Sequence, residues 1–220
     1  MKFCSIPNCN QEYEAKGYCK KHYQQFYNHR DLTSNNQRNR LDRNEIIIED
    51  NICHMKLYNN KNIEVAETIF DLKYKIEIEK YKWCLNKQKY SSCNYIDEDG
   101  NHHNITLHQA IIRMSGQIVP EGYEIDHKDT NRLNNLEDNL RICTELQNQQ
   151  NSKLRTDNKS GYKGVILHKS NKKWMSYINF NKKRIYLGLF DDPKDAAIAY
   201  NTAAIQYHGE FARINQIKGI

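Results

Sequence analysis

The chain has 220 residues, of which 38% are hydrophobic and 27% charged, with a mean hydropathy of −0.93. No apolar run approaches the roughly 18 residues needed to cross a bilayer, which excludes a membrane-spanning helix, and nine Gly with three Pro exclude collagen-like and low-complexity classes. The formal charge of +6 is uneven: residues 152–220 carry 13 Lys and Arg against 5 Asp and Glu, hence +8, and residues 1–151 come to −2.

A basic last third is the electrostatic footprint of a polyanion-binding module, set against the plainer reading of a solvated basic face. The first residues carry Lys2 but no apolar segment, so no secretory signal is expected. Seven cysteines, an odd number, then read as reduced thiols in a cytoplasmic compartment rather than as a disulfide scaffold.

Three of those cysteines crowd the first nineteen residues. Cys4, Cys9, Cys19 and His22 read C-x4-C-x9-C-x2-H, two ligand pairs able to wrap one tetrahedral Zn2+ with no open position for water, hence a structural site. A segment this short cannot bury a sufficient core, so the metal would supply its folding energy. Gly17 suits a tight turn before the second pair, and Tyr18, Tyr23, Phe26 and Tyr27 are placed to cover the site. The spacing, ending in CKKHY, resembles the small zinc module at the N-terminus of some phage-type endonucleases. Cys53, Cys84, Cys93 and Cys143 lack paired spacing and read as ordinary buried thiols. Residues 31–50 begin as a polar run and end in Ile46, Ile47 and Ile48, a linker feeding a strand or short helix.

In the centre, residues 52–58 and 88–96 have the β-branched and aromatic alternation of strands, and residues 70–81 read as a helix followed by a core Trp83. Asp99, Gly100 and Asn101 make a turn. Leu107, Ala110, Ile111 and Met114 share one helical face over residues 107–114. A short apolar strand then ends at Asp126 and His127. A loop rich in Asn and Asp follows, then a strand over residues 140–143, then a helix carrying Asn148 and Asn151, with Thr144 as its N-cap.

This stretch resembles an HNH (His-Asn-His) endonuclease of the homing type, on the combination DH-x11-N-L-R-x6-N, with LHQAI and the upstream KWCLNK as context. The resemblance implies a ββα-metal fold holding one divalent cation, Mg2+ or Mn2+, and a third motif position occupied by Asn. Phosphodiester hydrolysis needs a nucleophilic water, a base and positive charge near the leaving oxygen. His127 is the expected base, because an ordinary imidazole is mostly neutral near pH 7. Asn139 is the candidate to orient it by accepting the Nδ1 proton. By resemblance Asp126 is a metal ligand, and Asn148 supplies the second protein oxygen, with Asn151, three residues on, as the alternative. Asp126 and His127 point to opposite faces of an ideal strand, so only the chain reversal at the strand end brings both to one site. Asn134, Asn135 and Asp129 read as loop-forming residues. Arg141 either contacts phosphate or pairs with a carboxylate, and His108 either joins the site or packs at a helix start.

Residues 153–160 are polar and turn-prone, a second linker. Strand-like runs follow at residues 162–168, 173–180 and 184–190. Asp191, Asp192 and Pro193 then open a helix with a stripe of Ala196, Ala197, Ala199, Tyr200, Ala203, Ala204 and Tyr207, closed by Gly209. YKGV, KW, YLGLF, DAAIAY and ARIN resemble the AP-two domain of plant ethylene-response factors and of some phage homing endonucleases, across about 55 residues. The resemblance implies a three-stranded antiparallel sheet in the DNA major groove, braced by the helix. Lys172, Lys173, Lys182, Lys183 and Arg184 would neutralise phosphates, and His168, Tyr177, Asn179 and Tyr186 sit where that family places sheet contacts. Trp174 either stacks on sugar or supports the sheet from behind. Ile166, His168 and Asn179 stand where plant members carry Arg.

The sequence thus predicts an α+β chain of three modules: a zinc module (1–30), an HNH nuclease (51–152) and an AP-two-type DNA reader (161–215). The expected activity is site-directed hydrolysis of double-stranded DNA by a monomer. The alternative is a catalytically inactive DNA-binding regulator in which the nuclease fold is scaffold.

Overall fold

The computed structural model describes residues 3–6, 9, 11–27 and 42–217. Its chain divides into two compact units, residues 1–107 and 108–220. Among the described residues no helix is long and apolar enough to cross a membrane. Most of the expected first linker lies outside the described residues.

The first unit opens with two short antiparallel bridges, Phe3 with Glu12 and Ala15 with Tyr18, followed by helix α1 (Lys20–Tyr27). Strands β1 (Ile46–Glu49), β2 (Ile52–Tyr58) and β3 (Glu64–Asp71) form an antiparallel sheet in that order. Asp50 and Asn51, with φ of 46° and 66°, make the two-residue turn between β1 and β2, and positive φ at both positions is what such a hairpin requires. The period of two then puts Cys53, Met55 and Leu57 on the buried face of β2, with Thr68 and Phe70 of β3 beside them.

The helix expected over residues 70–81 is curtailed. Phe70 and Asp71 extend β3 in register with Cys53 and Ile52, and the Leu72 N–H closes the ladder on the Asn51 carbonyl at 2.9 Å. Strand pairing and burial of Phe70 therefore leave the helical pattern only a 3-10 turn (Leu72–Tyr74) and α2 (Lys75–Ile78). Trp83 is core, its Nε1 donating to the Ile78 carbonyl at 2.8 Å. A second sheet follows, β4 (Cys84–Leu85), β5 (Ser91–Ile96) and β6 (His102–Thr106). Its central strand begins three residues later than the pattern suggests because Asn86 to Lys89 form a turn, with Lys89 at φ 66°.

The boundary between units falls at the start of α3 (Leu107–Met114). In the second unit β7 (Tyr123–His127) and β8 (Leu140–Thr144) pair antiparallel. Helix α4 (Glu145–Asn151) follows directly. Thr144 caps it as expected: its Oγ1 accepts from the Gln147 N–H, and the Gln147 Oε1 accepts from the Thr144 N–H.

Strands β9 (Val165–Leu167), β10 (Trp174–Phe180) and β11 (Lys183–Phe190) form the last sheet, in the order β11-β10-β9, covered by α5 (Pro193–His208). The first of these strands is shorter than expected. Gly164 turns there with φ +75°, and a Cβ on it would lie 2.0 Å from the Tyr200 ring and 2.7 Å from the Tyr177 carbonyl, so only glycine lets sheet and helix approach this closely. The alanine stripe does what its small side chains allow: Ala196, Ala197, Tyr200, Ala203 and Ala204 are buried against Val165 and Ile178. Truncating Ile178 to Ala in so tight a layer would cost about 2–5 kcal/mol. The molecule is α+β, with antiparallel sheets in both units.

Candidate functional site

The β7–β8 register sets the site. It places Arg141 directly opposite Asp126 and Leu140 opposite His127, and directly opposed residues share a face. The Arg141 guanidinium donates from Nε and Nη2 to Asp126 Oδ2, at 3.0 and 2.7 Å. These side chains are only 10% and 6% exposed, so each charge depends on the other for solvation. Helix α4 runs back along the hairpin and ends at Asn151. The Asn151 Nδ2 lies among four oxygens: Asp126 Oδ1 and Oδ2 at 3.1 and 2.9 Å, and the carbonyls of His127 and Lys128 at 2.9 and 3.2 Å.

His127 is buried, its Nε2 3.2 Å from the Asn135 Oδ1. Since an amide oxygen only accepts, Nε2 carries the proton and the neutral ring keeps its lone pair on Nδ1. The His108 ring packs edge-on, 5.1 Å between centroids. Burial pushes the His127 pKa down with some help from Arg132, against the opposing pull of Asn135, Asp129 and Asp126. Burial, then His127 and Arg132, drives His108 down to about 3. Both rings are therefore neutral near pH 7.

The loop between the strands is built on Asp129. Its Oδ1 accepts from the Asn131 N–H at 2.7 Å and the Asn139 Nδ2 at 3.0 Å, and its Oδ2 from the Asn134 Nδ2 at 2.8 Å. Burial alone would raise this carboxyl, but those donors and His127 hold it below its ordinary value.

Two sequence expectations change here. Asn139 does not meet the His127 ring: its Oδ1 accepts from the Asp129 N–H at 3.1 Å and its Nδ2 reaches Asp129 and the Asn134 carbonyl. It is a staple of the loop, and Asn135, read from sequence as a loop former, takes the place beside His127. Asn148 donates to Glu124 Oε2 at 2.6 Å, while Asn151 takes Asp126. Glu124 and Asp126 alternate onto one face of β7, and Asn148 and Asn151 share one face of α4, so strand and helix pair in step, 124 with 148 and 126 with 151. Of the two expectations for Arg141, the structure shows the pairing with a carboxylate, that of Asp126.

On the C-terminal sheet the register pairs Tyr177 with Tyr186 and Asn179 with Arg184, and the Arg184 guanidinium lies 4.2 Å from the Tyr177 ring centroid. Lys172, Lys182, Lys183 and Tyr186 are exposed. Lys173 is also exposed, in an ion pair with Asp191 at 3.1 Å. His168 lies beyond β9 in a turn, its Nδ1 3.0 Å from both Asn171 Oδ1 and Ser170 Oγ. Trp174 packs on the Val165, Ala196 and Ala197 cluster, which makes it a support of the sheet from the helix side.

A family model described as HNH endonuclease matches residues 106–150, the span from α3 to α4. Protein 3.8 of Escherichia phage T7 is 36% identical over 106 residues, 48% of this chain and 87% of that protein. A protein of Acanthamoeba polyphaga mimivirus, named as an uncharacterized HNH endonuclease, is 31% identical over 148 residues, 64% of this chain and 70% of that protein. The chain belongs to the HNH endonuclease family. Its C-terminal region is also similar to an ethylene-responsive transcription factor of Arabidopsis thaliana, 45% identical over 56 residues, 24% of this chain and 30% of that protein.

This HNH chain carries a second donor cluster at its N-terminus. The Sγ atoms of Cys4, Cys9 and Cys19 and a ring nitrogen of His22 all lie within 4.8 Å of one another. The Cys4 and Cys19 sulfurs are 3.1 and 3.4 Å from the His22 Nδ1, and the Cys9 and Cys19 sulfurs 3.8 Å apart. A tetrahedron with bonds of about 2.0–2.3 Å has edges of roughly 3.3–3.8 Å, so three thiols and one imidazole fit Zn2+ in number, softness and spacing. Burial would raise the Cys4 thiol, but backbone donors from Cys19 and Ile6, with His22 and Cys9, bring it down to about 6. Lys16 and Gly17, at φ 49° and 85°, make the expected turn, and Tyr18 stacks on Phe26 at 5.5 Å. The side chain of Tyr27 lies outside the described residues.

Within the HNH hairpin, the sequence reads Asn135 as a loop former and places Asn151 second to Asn148. Asn135 lies eight residues past His127 and five before Leu140, nearer the second strand than the first. Nothing in the sequence separates it from Asn134 except the fold.

Proposed function

We propose that this chain is a site-directed, homing-type DNA endonuclease that hydrolyses phosphodiester bonds with His127 as general base. The observation that carries the reading is the juxtaposition, on one hairpin, of a buried neutral His127 held through Nε2 by Asn135 and a buried Asp126 held by Asn151. Water attacks phosphorus as its proton passes to the His127 Nδ1; the new O–P bond forms as the bond to the 3′ oxygen breaks, and that oxygen takes up a proton from solvent. Asn135 fixes the ring for this transfer. Asp126 and Asn151 would hold one Mg2+ or Mn2+. Their donor set fits such a hard cation, one carboxylate and one amide whose half-turn presents its Oδ1 to the same place. That ion would supply positive charge at the scissile phosphate and the leaving oxygen.

The division of labour follows the charge. The basic C-terminal module, through Lys172, Lys173, Lys182, Lys183 and Arg184, holds duplex phosphates, and Tyr177, Asn179 and Tyr186 face the bases. Zn2+ on Cys4, Cys9, Cys19 and His22 is structural. The protein acts on double-stranded DNA as a monomer.

The test is plasmid cleavage with Mg2+ by the full chain and by His127→Ala. Cleavage is expected to fall by at least about 10²–10⁴-fold, with duplex binding retained. Undiminished cleavage by the variant overturns the base assignment. Tight duplex binding with no cleavage by the unaltered protein would leave the regulator reading in its place.

A further inference from the structure

The nuclease hairpin and the C-terminal sheet module share one side chain. Two nitrogens of Arg141 converge on the Asp126 Oδ2. Its third, Nη1, donates to the Glu210 carbonyl at 2.7 Å, and the guanidinium lies over the Phe211 ring, 3.8 Å from its centroid. Glu210 and Phe211 belong to the 3-10 turn (Gly209–Phe211) that closes α5, sixty-nine positions along the chain from Arg141. A second tie runs the same way: the Lys163 Nζ, from the segment before β9, donates to the carbonyls of Gln150 and Ser152 at 2.6 and 2.8 Å, at the end of α4 beside Asn151.

The geometry on Asp126 is uneven. A fork-to-fork pair would use both carboxylate oxygens, yet both Arg141 nitrogens go to Oδ2, and among the contacts described Oδ1 meets only the Asn151 Nδ2, at the longer distance of 3.1 Å. The arginine thus fixes the carboxylate through Oδ2, and the Asn151 Nδ2 lies against both oxygens, 2.9 Å from Oδ2 and 3.1 Å from Oδ1. A guanidinium set this way needs its own plane defined, and the Phe211 face and Glu210 carbonyl define it.

We propose that Phe211 and the Glu210 carbonyl are positioning groups for the nuclease site, acting through Arg141 on Asp126, so that the DNA-reading module completes the cation site. This rests on the reading that Asp126 and Asn151 hold a divalent cation. Fixing a ligating carboxylate from outside commonly sets 10–100-fold in metal affinity.

The experiment is Mn2+ binding to the full-length, zinc-loaded protein, followed by the electron paramagnetic resonance signal of free Mn2+, with Asp126→Asn as the control that assigns binding to this site. Phe211→Leu keeps apolar volume and loses the ring; it is expected to weaken Mn2+ binding by about 10-fold or more with duplex DNA affinity unchanged. Phe211→Tyr, which keeps the ring, is expected to restore it. Equal Mn2+ affinity in Phe211→Leu and the parent overturns the positioning role, and so does loss of Mn2+ and duplex binding together, the mark of a merely structural contact. Should Phe211→Leu fail to fold, Phe211→Met and Arg141→Lys carry the same comparison, and unchanged Mn2+ affinity in either overturns it. Absence of Mn2+ binding by the parent protein overturns the cation-site reading instead.

Discussion

The N-terminal cluster and the hairpin site are both built to bring donors together, and they do so in opposite order of cause. Around the cluster, Cys4, Cys19 and His22 are themselves the buried residues, while the nearby rings of Phe3, Tyr13 and Phe26 are exposed. Remove the donors from that segment and little apolar core remains. In the hairpin, Asp126, His127, Asn135 and Asn151 are each buried and each already hydrogen-bonded to protein. Strand pairing and a capped helix hold them in place. A closed set of soft donors therefore suits a metal that makes the fold, and a set of hard oxygens on a finished fold suits a metal that does chemistry.

The largest expected effect follows from that contrast. Chelation of zinc, or Cys19→Ser, is expected to unfold the N-terminal segment, since apparent binding energies of about 10–16 kcal/mol are typical where zinc and folding are one event. The second unit is expected to stay folded under the same chelator. Metal analysis should find about one Zn2+ per chain in the parent and none after treatment, and hydrogen exchange should show loss of protection confined to the N-terminal segment. Loss of protection in both units would abolish the distinction between the two sites.

That same contrast explains what could be read in the sequence. Cysteine occurs seven times and its thiolate has few other uses, so spacing alone named Cys4, Cys9, Cys19 and His22. Asparagine is abundant and chemically interchangeable, and four stand in the loop and strand start alone, at 131, 134, 135 and 139. Which of them meets His127 depends on how the Asp129-centred loop folds. The choice between Asn148 and Asn151 depends on the helix–strand register, which a period of 3.6 leaves open by one turn. The same limit shortened the helix expected over residues 70–81: Phe70 suited either a helix face or a strand face, and the partner strand decided.

The asparagines give the sharpest test of the hairpin side. Asn151→Ala is expected to weaken Mn2+ binding and Mg2+-dependent cleavage by about 10–100-fold. Asn148→Ala removes only an exposed contact to Glu124 and is expected to change both by less than about threefold. Asn139→Ala leaves the Asp129 donors and acceptors short of a partner, so it should lower stability by about 1–3 kcal/mol while sparing the His127 orientation. A larger loss from Asn148→Ala than from Asn151→Ala would mean that the helix pairs with the strand one turn earlier than described.

The smallest effect is one of pH, and it separates the two sites again. His108 and His127 are held neutral by burial, with folded pKa values below their unfolded value of about 6.5. Below that pH the unfolded chain binds protons that the folded chain refuses, so stability falls as pH falls, by up to about 1.4 kcal/mol per pH unit for each such ring. For His108 the loss continues toward about pH 3. Asp129 does not mask it, because its carboxyl titrates below the usual carboxylate range and its contribution is lost only there. Urea unfolding of the second unit, followed at about pH 7 and about pH 5, should show this decline, and His108→Gln should remove close to one proton's share of the slope. The neutral His127 predicts the matching kinetic result: the acid limb of cleavage should lie below the ordinary histidine value, because the ring keeps its lone pair until the folded pKa is reached. A flat stability profile with an acid limb at or above about 6.5 would mean that the imidazoles are hydrated in solution. The hairpin would then be an open surface site, and the contrast with the closed N-terminal cluster would rest on donor chemistry alone.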